Sequence, residues 1–173
     1  MLPRLTLSTM HRLLAGFFLA TVAGVMVAPM ISLGLAAEGV DAALIGTLVA
    51  VGSLAYMLAL PAAPALIRRL GARATFRLAL VAGALATAGL ALAAAPALWV
   101  AMFAAGLRYT VAESWVPALV EPEARGRAMA LFQTAIGGGA FAGAGLLLLT
   151  GVHGPAPRAV VLGTALAGAA LLW

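Results

Sequence analysis

Cysteine is absent from this 173-residue chain, which excludes disulfides, thiolate metal sites and cysteine nucleophiles. Lysine and asparagine are absent as well, so every basic side chain other than His11 and His153 is an arginine. Charge of either sign is scarce: charged residues make up 9% and hydrophobic residues 65%, whereas a soluble domain is about a quarter charged and about half apolar. A water-soluble fold of this length could not cover that much apolar surface, which leaves a membrane protein in contact with lipid. The net charge of +5 does not point to nucleic acid, because the arginines are scattered between apolar spans and form no patch interleaved with aromatics. No GxSxG or GxSG stretch occurs and neither histidine lies deep in an apolar run, so the serine and histidine of an intramembrane protease are missing. No catalytic residue, metal ligand or cofactor is expected.

What the chain does have is long apolar runs. Six spans are read, Leu13 to Leu35, Ala42 to Leu66, Leu78 to Ala94, Ala97 to Leu119, Ala128 to Thr150 and Ala159 to Trp173, most of them near the ~20 residues that cross a hydrocarbon core. The connections AAEGVDA, IRRLGARATFR, AP at Ala95-Pro96, VEPEARGR and GVHGPAPR are short, so neighbouring helices run antiparallel. The expected fold is all-α, one six-helix transmembrane bundle over residues 1–173. The first span, 23 residues from Leu13 to Leu35, exceeds the roughly 7–15 of a signal peptide's apolar region and is read as a retained helix.

Arginine placement sets the orientation. With the N-terminus in the cytoplasm, Arg4, Arg12, Arg68, Arg69, Arg73, Arg77, Arg125 and Arg127 all fall on the inner side, as the positive-inside rule requires. Trp99 and Trp115 are sixteen positions apart, about 24 Å along a helix, which puts one in each interfacial belt. The Ala/Gly/Leu/Arg bias reads as a GC-rich bacterial coding sequence, and the expected location is the inner membrane.

The fourth span, WVAMFAAGLRYTVAESWVPAL, carries the strongest functional signal. Arg108 lies about 17 Å from the outer end of that helix, close to mid-membrane, where a guanidinium costs about 2.5–3.5 kcal/mol on insertion scales and needs a partner or a water-filled cavity. It shares a face with Ala101, Ala104, Ala105, Ala112 and Trp115, a small-residue stripe suited to a helix that lines a cavity while packing closely. The alternative is an arginine that snorkels or satisfies a broken helix elsewhere. Glu113 is five residues on, about 140° around the helix, so the two cannot form an i,i+4 pair. Arg68 and Arg69 are its nearest counter-ions by depth, and simple solvation at the interface is the competing reading. Pro117 leaves the Glu113 carbonyl without its intrahelical donor and predicts a kink or local opening. Pro29, Pro61 and Pro64 predict kinks in the first two helices. Gly139 and Gly143 on the fifth helix have the small-xxx-small spacing of close packing. Tyr56, Gln133 and Thr134 are polar candidates for a cavity wall.

Six helices with the N-terminus inside, a basic second loop reading PALIRRLGAR, an uncharged third loop, and GLRYTVAESW followed by RGRAMALFQ together resemble the N-terminal half of a major facilitator superfamily transporter. The bacterial branch typified by YcaD-like permeases is similar in ending its fourth helix on Glu-Ser/Ala-Trp followed by Arg-Gly-Arg, here Glu113-Ser114-Trp115 and Arg125-Gly126-Arg127. The likeness runs from Pro29 to Leu149. In the superfamily's second-loop motif Arg69, Gly71 and Arg73 are retained, whereas Pro64 stands at a glycine position and Arg68 at the aspartate position. Pro117 stands where the branch has asparagine, and the Gly-Pro step of drug antiporters is absent. The resemblance implies transport of a small solute by alternating access, alone or with a coupling proton, and a cytoplasmic gate around Arg68, Arg69, Gly71, Arg73, Glu113, Trp115, Pro117, Arg125, Gly126 and Arg127. A facilitator needs two six-helix bundles, and this length accommodates one. The expected partner is therefore a second six-helix half or another copy of the chain, beside membrane lipid. A non-transporting membrane scaffold is the alternative, disfavoured by the inward charge on the fourth helix.

Overall fold

The computed structural model describes residues 7–91 and 97–173. These form six helices, α1 (Leu7–Ala37), α2 (Ala42–Leu70), α3 (Ala72–Ala91), α4 (Ala97–Trp115), α5 (Arg125–Thr150) and α6 (Pro155–Leu172), and no strand occurs among the described residues. The expected end of the third span at Ala94 and the Ala95-Pro96 connection lie outside the described residues. Four helical segments are long and apolar enough to cross a membrane: Thr9–Ala37, Ala42–Leu70, Pro122–Thr150 and Pro155–Leu172. The 19 residues of α4 include Arg108 and Glu113, and the first two turns of α3 carry Arg73 and Arg77.

Most helices overrun the apolar spans read from sequence. The eleven residues IRRLGARATFR were expected to be a loop, but the connection between α2 and α3 is the single residue Gly71. Hydropathy marks where lipid contact ends, whereas a helix ends where its backbone bonding fails, and arginine is a good helix former. Gly71 has φ 81°, a conformation that favours glycine. Its N–H donates to the Ile67 carbonyl at 2.9 Å, closing α2, and its carbonyl accepts from the Thr75 N–H at 3.1 Å, opening α3. At the other end of α2, Asp41 caps the helix by accepting from the Ala43 N–H at 2.8 Å. Helix α4 ends at Trp115 rather than running to Leu119: Val116–Leu119 is a 3-10 turn with Pro117 in it, the local opening that the missing N–H dictates. Helices α1 and α2 pass through Pro29, Pro61 and Pro64 with no break in the helix.

The packing has an internal order. Helix α1 packs chiefly on α5 and α6, α4 chiefly on α2 and α3, and α3 meets α6. The first helix of each triplet thus sits against the second and third helices of the other. Glycines permit the closest approaches. A Cβ at Gly139 of α5 would lie 2.5 Å from the Phe18 carbonyl oxygen of α1, and one at Gly143 would lie 2.9 Å from that of Val22. On the opposite side, a Cβ at Gly106 of α4 would lie 2.6 Å from the Tyr56 carbonyl oxygen of α2. The packing role read for Gly139 and Gly143 therefore holds, and Gly106 is its unforeseen counterpart.

Two apolar clusters fill the interior. The larger joins Phe17, Ala59, Ala63, Phe76, Leu107, Val111 and Phe132 with their neighbours. It lies where α1, α3 and α5 begin and α2 and α4 end, which is also the end bearing Arg12, Arg68, Arg69, Arg73 and Arg125. Arg77 packs over the Trp173 ring at 4.9 Å, bringing the end of α6 to the same place. The smaller cluster, around Val22, Met26, Leu98 and Val161, occupies the opposite half.

Candidate functional site

Position 108 falls on the face of α4 that looks into the bundle, and Arg108 lines a cavity of about 60 Å³ bounded by α1, α3, α4 and α6. By the usual allowance of about 10–15 Å³ per water, the space admits a few water molecules. Its lining runs from Ala20, Leu80 and Arg108 to Ala28, Thr87 and Leu98, that is, from the depth of Arg108 toward the end remote from the arginines. A second cavity of about 90 Å³, between α1, α2 and α4, lies in that same half. Below Arg108 the large apolar cluster closes the bundle.

The arginine is held but not satisfied. Its Cζ sits 5.9 Å from the centroid of the Phe17 ring, within cation–π range. Gly83 of α3 leaves room beside it, since a Cβ there would stand 4.0 Å from Nη1. Its Nε is buried and has no hydrogen-bond partner, a state that costs roughly 1–3 kcal/mol or more for a charged group unless a ligand or water meets it.

Phe17 is also the hub of an aromatic cluster. Its ring meets Phe132 edge-on at 4.9 Å and Phe76 at 6.0 Å. Phe76 meets Trp115 at 5.9 Å, and Phe132 meets Tyr109 at 6.0 Å. Trp115, read as one of two interfacial tryptophans, has a partly buried ring that packs edge-on against Phe76. The 3-10 turn after it buries Val116 and Leu119 and folds the end of α4 over the bundle. Trp99 stays 42% exposed. Sequence reasoning missed Phe17, Phe76 and Phe132. The available signal was depth: with antiparallel helices, all three sit within the first eleven residues of α1, α3 and α5.

The other predicted site residues fall into separate groups. Gln133 of α5 donates through Nε2 to the Tyr109 hydroxyl at 3.0 Å and to Glu113 Oε1 at 3.3 Å, bridging α5 to α4. Glu113 was expected to face Arg68 or Arg69 or to be solvated at the interface. Its partner is Gln133 instead, because both arginines project as exposed side chains from the last turn of α2. Thr134 is exposed and returns its hydroxyl to the Ala130 carbonyl at 2.8 Å. Tyr56 is half-buried, with its backbone against Gly106, and lies within electrostatic range of Arg108, Tyr109 and Glu113. None of Tyr56, Gln133 and Thr134 lines the Arg108 cavity. Arg73, Arg125, Gly126 and Arg127 are exposed at the arginine-bearing end, and Pro117 sits partly buried in the 3-10 turn.

Long apolar helices, glycine-mediated packing and one guanidinium held inside the bundle define a multi-pass membrane protein. The chain belongs to the major facilitator superfamily, whose profile, Major Facilitator Superfamily, matches residues 13–173, and this makes it a membrane transporter. Neither a curated protein nor a solved structure matches it.

Proposed function

We propose that this bundle is the N-terminal half of a transporter that moves a small solute bearing an anionic group by alternating access, with all six helices crossing a bacterial inner membrane and the N-terminus in the cytoplasm. The observation that carries the reading is Arg108 lining a cavity inside the bundle, with its buried Nε lacking a hydrogen-bond partner. An intramembrane charge of this kind marks a solute or ion pathway, and facilitator-type sites lie near the midplane between bundles that rock. Arg108 is the solute contact. Tyr56, Gln133 and Thr134 face the path shared with a second six-helix half or another copy of the chain, where a coupling proton would travel. The Gln133 bridge to Tyr109 and Glu113, with Trp115 and Pro117 beside it, is the inner gate. The second-loop residues Arg68, Arg69, Gly71 and Arg73 and the motif Arg125-Gly126-Arg127 flank that gate. The narrower likeness to YcaD-like permeases rests on the Glu113-Ser114-Trp115 and Arg125-Gly126-Arg127 motifs alone.

The test is uptake of radiolabelled small organic anions by cells making a complete transporter that contains this half, as wild type or Arg108→Ala, at matched membrane levels. Uptake lost only in the variant supports the assignment. Equal uptake by both demotes Arg108 to a structural residue, as does a Cys at Ala101 or Ala105 that stays inert to small thiol reagents.

A further inference from the structure

The arginine-bearing end of the bundle is not uniform, and the corner between α3 and α6 is built differently from the rest. Helix α6 ends between α1 and α3: a Cβ at Gly16 of α1 would lie 2.6 Å from Leu172 Cγ, and Arg77 of α3 packs over the Trp173 ring at 4.9 Å. Arg73, one turn earlier on α3, shares the face of Arg77. Both arginines and Trp173 are exposed. Among the described residues no hydrogen bond or ion pair engages either guanidinium, and none of the chain's five carboxylates lies on α3 or α6. The positive charge at this corner therefore has no counter-ion within its own helices.

From that basic end the outer face of α3 continues as an apolar strip. Leu78, Val81 and Leu85 are all exposed, and their spacing of three and four residues puts them on one side of the helix. Arg77 to Leu85 spans about 12 Å along the axis, most of the ~15 Å depth of one leaflet. The exposed polar positions Gln133 and Thr134 belong to α5, which packs chiefly on α1, whereas α3 packs on α4 and α6. That division leaves the α3 strip to hydrocarbon. A tryptophan where such a strip meets the arginines marks headgroup depth, and an exposed guanidinium backed by its ring keeps in-plane N–H groups for a phosphate.

We propose that the corner between α3 and α6 holds an anionic phospholipid of the leaflet at the arginine-bearing end, its phosphate on Arg77 and Arg73 beside Trp173 and one acyl chain along Leu78, Val81 and Leu85. Arginines at the membrane surface attract such lipids with a gain of about fivefold each. The inference is independent of the role read for Arg108.

The experiment reads Trp173 fluorescence in the purified full chain, reconstituted in vesicles of phosphatidylcholine and phosphatidylglycerol in which one lipid or the other carries brominated, quenching chains. Trp99→Phe removes the exposed tryptophan of α4, and Trp173→Phe in the same background supplies the signal of Trp115 for subtraction. Phosphatidylglycerol should be preferred over phosphatidylcholine about fivefold at Trp173, falling to parity in Arg77→Gln. Arg73→Gln should at least halve the preference, and it decides the matter if Arg77→Gln fails to fold. Arg158→Gln, an equal loss of charge in the first turn of α6 at the opposite end, should leave it unchanged.

Equal quenching by the two lipids in the folded Trp99→Phe parent overturns the proposal. So does a preference that survives the folded arginine variants, or one that Arg158→Gln lowers as much, which would report only the net charge of the protein. Relief of quenching by soluble glycerol phosphate would mean a phosphate site without a lipid, and loss of quenching as the protein is packed more densely would mean a second copy on this face. Either result sinks the lipid assignment.

Discussion

Replacing Gly139 with alanine tests the α1–α5 interface with a single methyl group. The added Cβ would lie 2.5 Å from the Phe18 carbonyl oxygen and 3.0 Å from the Thr21 Cβ. A relaxed carbon–oxygen contact is about 3.3–3.6 Å, so the helices must separate by about 0.8 Å. Local adjustment is blocked one turn on, where a Cβ at Gly143 would lie 2.9 Å from the Val22 carbonyl oxygen, and at Thr21, whose hydroxyl is bonded to the Phe17 carbonyl at 2.8 Å. Overpacking of this kind costs about 1–3 kcal/mol, against which alanine returns up to ~1 kcal/mol of helix propensity. Gly145→Ala isolates the second term, because a Cβ there meets nothing within 4 Å. We therefore expect Gly139→Ala to be about 1–3 kcal/mol less stable than Gly145→Ala, measured by reversible SDS unfolding in mixed micelles. Two variants equal within about 0.5 kcal/mol would refute the close approach of these helices.

Three other outcomes follow from the same geometry. Phe132→Ala, which removes a fully buried ring edge-on to Phe17, should destabilise by about 3 kcal/mol, the low end of the range for buried phenylalanine because lipid replaces water as the reference; the same unfolding assay reads it, and a loss below about 1 kcal/mol would dissolve the aromatic hub. A double-mutant cycle between Gln133→Leu and Glu113→Gln should show a coupling of roughly 0.5–1 kcal/mol, whereas strict additivity would mean that the 3.3 Å contact does not hold in the membrane. In this cysteine-free chain, a Cys at the exposed Ala37 should react with an impermeant thiol reagent on intact cells and one at the exposed Ala74 should not. The opposite pattern would reverse the orientation.

The number of helices was legible because hydropathy alone limits how such a chain can fold. Their ends were not, since Arg68, Arg69, Arg73 and Arg77 leave the lipid without leaving the helix, and that reduced an eleven-residue loop to Gly71. The same error misplaced the partner of Glu113. Counting depth from loop ends brought Arg68 and Arg69 level with it, whereas on the longer α2 they belong to a last turn that projects into solvent. Pro117 acted locally and was read correctly. Its consequence for Trp115 was not legible, because the ring that receives it, Phe76, comes from α3.

The candidate site divides along the same line. An arginine inside an apolar run is visible in one helix, and so is the stripe of small residues that gives it room. Which neighbour each adjacent position faces is a property of the assembled bundle. Positions 108 and 109 differ by about 100° around α4, enough to send Arg108 toward the cavity and Tyr109 toward α5, where Gln133 meets it. The rings of Phe17 and Phe132 come from different halves of the chain and are brought together by Gly139 and Gly143, which hold α1 and α5 close. A methyl group at Gly139 should therefore act at a distance as well as locally. By shifting Phe17 off the Arg108 guanidinium, it should loosen the floor of the cavity, so that a Cys at the cavity-lining Ala105 reacts faster with small thiol reagents in the Gly139→Ala background although position 139 does not line the site.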